Sequence, residues 1–251
     1  MHETMRIIGV DLGQQRDPTA IAVIERGYVP RGALYNATYR LRGREVYSAR
    51  EPIRLEYHVR HLERPSLGTS YVDVVERILA LMDGLGDEEL VLAVDTTGVG
   101  RPVADMLRAR LAEWLDEHER QRITAAWITI TGGDSVTKAG DASGGLRVPK
   151  RDLASAPLVL MQKGQLKIAR EMALADTLKR ELLNFKVKIN IATGHDSYEA
   201  WREGDHDDLV LAVAMACWCG ERYMEKLDSL PRPGTLASDG VPLNFVGGRR
   251  A

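Results

Sequence analysis

Residues 6–25 read RIIGVDLGQQRDPTAIAVIE. The short apolar run RIIGV (6–10) ends in Asp11, Gly13 and Asp17-Pro18 then supply turn chemistry, and TAIAVIE (19–25) resumes a β-branched, apolar pattern. This is a strand–turn–strand hairpin with a carboxylate at the end of its first strand. Working outward, IRLEYHVRHL within 52–62 alternates apolar and polar residues, as a third strand does. The intervening 30–50 is Arg-rich and weakly patterned, and reads as loop or strand. From Thr69, the apolar residues Tyr71, Val74, Val75, Ile78, Leu79 and Met82 recur at helical spacing until Gly84 and Gly86 stop them. ELVLAV (89–94) is a continuous apolar run of the kind found in buried parallel strands. It ends in Asp95, followed by Thr-Thr-Gly-Val-Gly. A helix over 101–119 and a strand over 123–130 complete an order of three strands, helix, strand, helix, strand.

Beyond that point, 131–149 (TGGDSVTKAGDASGGLRVP) is rich in Gly, Ser and Thr without periodicity, and reads as a long flexible loop with a functional reason for its length. A helix over 150–162, a short strand over 165–169, a helix over 172–184 and strands around 185–191 follow. The last helix starts near Asp207 and runs to about 226, and the Pro/Gly-rich stretch 231–251 reads as a flexible tail. No internal repeat or linker divides the chain, so 1–230 is expected to form one domain.

Composition narrows the function classes. The 251 residues carry 34 Lys+Arg against 36 Asp+Glu, a formal net charge of -2, which argues against a surface that is basic throughout. Cys217 and Cys219, the only cysteines, stand two apart in an apolar helical stretch. They make neither a disulfide framework nor a zinc site, and reduced core thiols imply an intracellular, cytoplasmic protein. No apolar run approaches the ~20 residues of a membrane span, so no membrane partner is expected.

Three acidic sites stand at element ends: Asp11 after the first strand, Asp95 after the buried fourth strand, and Asp207-Asp208 opening the last helix. Each has an ordinary reading as well. Asp11 suits a turn, Asp95 suits an N-cap, and Asp207-Asp208 suit the positive end of a helix dipole. Taken together they have a sharper one. If the first and fourth strands are parallel neighbours, Asp11 and Asp95 emerge at one sheet edge, and a docked last helix brings a third carboxylate. Like charges gathered in this way repel, and a hard cation between them relieves the repulsion. Mg²⁺ and Mn²⁺ prefer such oxygens, and a pair of these ions activates water and stabilises the leaving oxygen in phosphodiester hydrolysis.

Those residues resemble a known family. Ile8-Gly9-Val10-Asp11-Leu12-Gly13 with Asp17-Pro18-Thr19-Ala20 resembles the opening hairpin of the nuclease domain of phage terminase large subunits. Val94 to Gly100 resembles their second acidic motif, Val148-Pro149-Lys150-Arg151 the segment after their loop, and Gly204 to Ala212, with its His206-Asp207-Asp208, their closing helix. The resemblance implies an α/β fold, an RNase H-like mixed sheet flanked by helices. It further implies a metal-dependent endonuclease cutting double-stranded viral DNA during genome packaging, in the host cytoplasm. Carried over, Asp11 and Asp95 are metal ligands and catalytic, with Asp207, Asp208 or both completing the set for two Mg²⁺ or Mn²⁺ ions. Terminase large subunits also carry a packaging ATPase, but this sequence has no G-x-x-x-x-G-K-[ST] loop. The sequence is then either an isolated nuclease domain or one that works with an ATPase on a separate polypeptide; a separate packaging ATPase, a small terminase subunit and the portal are the partners the resemblance implies. Three alternatives stay open: a Holliday-junction resolvase of the same superfamily, a nucleotide-dependent phosphotransferase of the sugar-kinase and actin superfamily, whose phosphate hairpin also reads strand, Asp, x, Gly, strand, and a non-catalytic docking module that keeps the fold and binds DNA or motor partners.

The near-zero charge conceals segregation. Lys138 to Lys188 holds 11 Lys/Arg and 5 Asp/Glu, Arg31 to Arg64 holds 8 Arg and 4 Glu, and Ile191 to Asp228 holds 3 Lys/Arg and 9 Asp/Glu. Lys138, Arg147, Lys150 and Arg151, in and beside the Gly-rich loop, are the expected DNA phosphate contacts. The histidines have no metal-ligand spacing, and His206 suits a supporting or capping role beside Asp207. Trp114, Trp127, Trp201 and Trp218 read as core or half-buried residues.

Overall fold

A computed structural model describes residues 4–13, 17–30, 39–41, 44–46, 53–86, 89–97, 100–118, 123–139, 145–184 and 207–229. The opening hairpin forms as read: β1 (Met5–Asp11) pairs antiparallel with β2 (Ala20–Pro30), with Asp11 opposite Ala20. The described ends of the connection, at Gly13 and Asp17, lie close together. A Cβ on Gly13 would stand 2.0 Å from the Asp17 carbonyl oxygen, so only glycine fits, and the Gly13 amide donates to Thr19 Oγ1 at 3.1 Å. The third strand, β5 (Ile53–Glu63), runs antiparallel along β2. Within the Arg-rich stretch, β3 (Tyr39–Leu41) and β4 (Arg44–Val46) pair as a separate two-stranded ribbon.

On the other side of β1 lies β6 (Glu89–Asp95), parallel to it, and then β7 (Ile123–Thr131), parallel again. Among the described residues the sheet has eight strands in the order β10-β5-β2-β1-β6-β7-β9-β8, the outer ones being β8 (Thr137–Lys138), β9 (Leu146–Pro149) and β10 (Leu166–Ile168). Its central run, β5-β2-β1-β6-β7 with only β2 antiparallel to its neighbours, is the RNase H-like mixed sheet.

Two strands, β8 and β9, lie where a loop was expected. β9 is parallel to β7, and β8 is antiparallel to β9. Four and two residues are too few to show a period-2 pattern, and the hydrogen bonds that hold them come from other segments, β7 for β9 and β9 for β8, which no local signal announces. The strands expected around 185–191 and the tail 231–251 lie outside the described residues.

Side chains alternate across β1 and sort the core into two. Ile8, Val10 and Leu12 join Leu90, Leu92 and Val94 beneath α1 (Tyr71–Asp83) and α2 (Gly100–Glu117). Met5 and Ile7, with Val91 and Ala93, face α5 (Asp208–Ser229), α3 (Lys150–Gln162) and α4 (Ala175–Asn184). Residues 208–219 of α5 are all buried, because the sheet covers one side of the helix and α3 and α4 the other. Cys217 and Cys219 lie there as free thiols, and burial pushes Cys219 up to about 12 and Cys217 higher still. Trp114 and Trp218 are buried and Trp127 half-buried, while Trp201 lies outside the described residues. Among the described residues, no helix is long and apolar enough to cross a membrane.

Three contacts fix how α5 lies on the sheet. One turn into the helix, a Cβ on Gly9 would stand 2.0 Å from the Ala212 carbonyl oxygen, so helix backbone meets strand backbone there. Towards its far end, Tyr57 Oη donates to Glu221 Oε1 (2.5 Å) and accepts from the buried Arg26 Nε (3.1 Å). At its start, the Glu181 carboxylate of α4 accepts from the Leu209 and Val210 amides at 3.1 and 3.3 Å.

Candidate active site

Strand alternation and helical repeat together dictate where the carboxylates go. Asp11 follows Gly9 by two residues on β1 and so faces α5 as Gly9 does. Asp95 follows Ala93 on β6 in the same way. The register Val10↔Val94 sets the two aspartates side by side at the ends of adjacent parallel strands. On α5, Asp208 lies one turn before Ala212, the residue in contact with Gly9. The same close approach that seats the helix therefore brings Asp208 to the sheet edge where Asp11 and Asp95 end. Asp207 stands immediately before the helix, its carbonyl accepting from the Leu211 amide at 2.9 Å.

Asp11, Asp95 and Asp208 are all less than a tenth exposed. Burial, then the charges of Asp95, Asp208 and Asp207, hold the Asp11 carboxyl well above the usual carboxylate range, with Lys150 pulling the other way. Burial lifts Asp95 to about 6, against the opposing pull of its hydrogen bonds with Thr97 and of Lys150. One of those bonds is the Thr97 amide donating to Asp95 Oδ1 at 2.7 Å. The Thr-Thr pair is also tied to β7: Thr96 donates through its amide and its hydroxyl to the Ile128 carbonyl (2.7 and 3.0 Å), and Thr97 Oγ1 accepts from the Ile130 amide (2.7 Å). Asp95 thus closes a local turn with Thr97 and is not the N-cap of α2, which begins five residues later at Gly100.

β9 completes the edge. It is parallel to β1, β6 and β7, so its end delivers Lys150 to the same rim, where Nζ donates to Asp207 Oδ2 at 3.2 Å. Lys150, expected as a phosphate contact, pairs with Asp207, and its charge also acts on Asp11 and Asp95. Arg151 pairs with Asp134, through Oδ1 at 3.0 Å and the backbone carbonyl at 2.6 Å. Lys138 and Arg147 are exposed on β8 and β9 and remain available to a polyanion. His206 lies outside the described residues.

The donor set is all carboxylate oxygen, which suits a hard divalent cation and not a soft or zinc-type one. Its like charges are mutually unfavourable, as the raised Asp11 carboxyl shows. The four are neighbours without being drawn onto a common point: among the described residues, no three His, Cys, Asp or Glu side chains form a ready ligand cage.

No protein-family model matches the chain, and no curated protein matches it. Among solved structures it is similar to T. thermophilus RuvC in complex with a Holliday junction substrate. That similarity covers 88% of this chain and 96% of that one, at 15% identity and a TM-score of 0.35. The fold assignment rests on the strand order described above.

Two residues of the site have no counterpart in the sequence reading. Arg64 follows the last residue of β5, and the register Ile21↔Glu63 carries it to the rim that holds Asp11. Its Nη2 donates to Glu181 Oε1 at 2.5 Å and stands 3.4 Å from Asp208 Oδ2. Glu181 had a detectable signal: it shares the apolar stripe of α4 with Leu178 and Leu182, a position where a carboxylate is out of place unless it has a partner. Arg64 had none, because its place depends on strand register.

Proposed function

We propose that the chain is a divalent-metal-dependent endonuclease acting on double-stranded DNA, in the terminase role that its acidic motifs resemble, with the packaging ATPase, small terminase subunit and portal as partners. One observation carries the reading. Asp11, Asp95, Asp207 and Asp208, from three separate elements, are electrostatically coupled at one rim of the sheet, and Asp11, Asp95 and Asp208 are buried there. Asp11, Asp95 and Asp208, with Asp207, would hold Mg²⁺ or Mn²⁺, and a bound ion supplies Lewis-acid stabilisation of charge developing on the phosphate oxygens. The protein's own contribution is positional. The Thr97 amide fixes one oxygen of Asp95, Gly9 lets α5 close on β1, and Lys150 offsets part of the negative charge. Lys138 and Arg147, exposed on the outer strands, give the DNA backbone cations without reading bases.

The test is conversion of supercoiled plasmid to nicked or linear form with Mg²⁺ or Mn²⁺. Cutting by the parent and none by Asp11→Asn or Asp95→Asn is expected. Undiminished cutting by either variant would remove the metal-site reading. A four-way junction in the same assay distinguishes the resolvase alternative, which calls for preferential cutting of the junction over linear duplex.

A further inference from the structure

We infer that Arg64 and Glu181 form a positioning pair for Asp208, fixing the carboxylate of α5 for cation binding; the inference rests on the metal-site reading above. Glu181 is buried and uses its two oxygens differently. Oε2 accepts from the Leu209 and Val210 amides, the otherwise unsatisfied donors at the start of α5, at 3.1 and 3.3 Å. Oε1 accepts from Arg64 Nη2 at 2.5 Å, and the same Nη2 stands 3.4 Å from Asp208 Oδ2. A single guanidinium nitrogen therefore links the group that caps the helix to the carboxylate the helix presents. Arg64 is itself placed by the β2–β5 register, on the sheet that also carries Asp11. The link thus references Asp208 to the frame of the other ligands, and does so from two directions, since α4 supplies one partner and the end of β5 the other.

A helix cap alone needs neither Arg64 nor a negative charge on residue 181. An amide oxygen accepts from the helix amides as a carboxylate does, but it makes a poor partner for a guanidinium. Glu181→Gln therefore keeps the cap and weakens the link to Arg64. The sign of the Arg64 effect is equally informative. If Arg64 were only a positive charge beside Asp208, removing it would tighten cation binding, because it competes with the ion. If it positions Asp208, removing it weakens binding.

The experiment is calorimetric titration of the whole protein with Mn²⁺ alone, without DNA, alongside thermal melts in EDTA. Arg64→Ala and Glu181→Gln are each expected to weaken Mn²⁺ binding by about 10–100-fold, the range for partners that orient metal ligands. Arg64→Lys should recover part of the loss, and the double variant should bind no more weakly than the worse single one, because both changes cut one link. The melting temperature of Glu181→Gln should stay near the parent's. Asp11→Asn is the control for the underlying reading. If it loses Mn²⁺ binding while Arg64→Ala binds as the parent does or more tightly, the pair is only a helix cap and the inference fails while the metal site stands. If Asp11→Asn binds Mn²⁺ as the parent does, the metal site fails and takes the inference with it.

Discussion

Gly9 and Ala212 meet backbone to backbone: a Cβ on the glycine would lie 2.0 Å from the Ala212 carbonyl oxygen and 2.9 Å from its carbon. No side-chain rotation relieves such a contact, since both atoms belong to the helix main chain. Gly9→Ala must push α5 off β1, at a cost of about 1–3 kcal/mol or more. Asp208 lies one turn from that contact, so the same shift moves it relative to Asp11. Urea denaturation should show the lost stability, and plasmid cutting should fall even at temperatures where the variant remains folded. Full activity with lowered stability would mean that the carboxylates tolerate a displaced helix.

Asp95 sets a pH dependence of unusual sign. Its folded-state carboxyl titrates near 6 because it is buried, whereas in the unfolded chain it titrates near the ordinary 3.8. The folded state therefore holds the proton more tightly. This group favours folding at low pH, and the advantage is lost as pH rises from about 4 to about 6. Asp95→Asn removes the titration. In EDTA the variant should be more stable than the parent above pH 6, by on the order of 2–3 kcal/mol, and the difference should shrink as pH falls toward 4. Comparing variant with parent cancels Glu25 and Glu63, whose carboxyls are held low by Arg60 and Arg77 and act in the opposite sense.

Cations should reverse the ranking. An ion that binds only the folded state stabilises it by about 2.7 kcal/mol at a hundred times its dissociation constant. The melting temperature of the parent should rise with added Mn²⁺, and that of Asp11→Asn should barely move. Equal rises in both would point to binding elsewhere on the molecule. Because Asp11 and Asp95 are held protonated more than ordinary carboxylates, binding near pH 6 should also release protons. The calorimetric heat should then vary with the ionisation enthalpy of the buffer.

Lys138 and Arg147 are exposed where Lys150 and Arg151 are engaged with Asp207 and Asp134. Lys138→Ala and Arg147→Ala should each weaken binding to unrelated duplexes to the same extent and reduce the salt slope by about 1. Titrations at several salt concentrations measure both. A loss confined to one DNA sequence would contradict a purely backbone contact.

What the sequence revealed follows the range of each signal. Asp11 and Asp95 stood out because each ends an apolar run, and the Asp207-Asp208 pair because it opens the last apolar helix, without a sign of which of the two lies on the helix's buried side. The hairpin was legible because Gly13 and Asp17-Pro18 punctuate it. β9 was not, since four residues hold their strand geometry only through β7 and β8, and its place beside β7 is what explains Lys150. Arg64 was hidden for the same reason: its place follows from the register of β5 on β2, a relation between segments some 40 residues apart. Glu181 stood in plain view as a carboxylate on an apolar stripe, but its partner was needed to give it meaning.

The docking of α5 has a consequence in time as well as in space. Asp11 and Asp95 are synthesised early, in β1 and β6, while Asp207 and Asp208 come with the last of the described elements. A growing chain on the ribosome therefore carries half of the acidic set until α5 emerges and finds its groove over Gly9. Any product truncated before residue 207 carries that half permanently. The candidate acidic site is therefore assembled only when the last of the described elements docks, so its completion and that of the described core coincide.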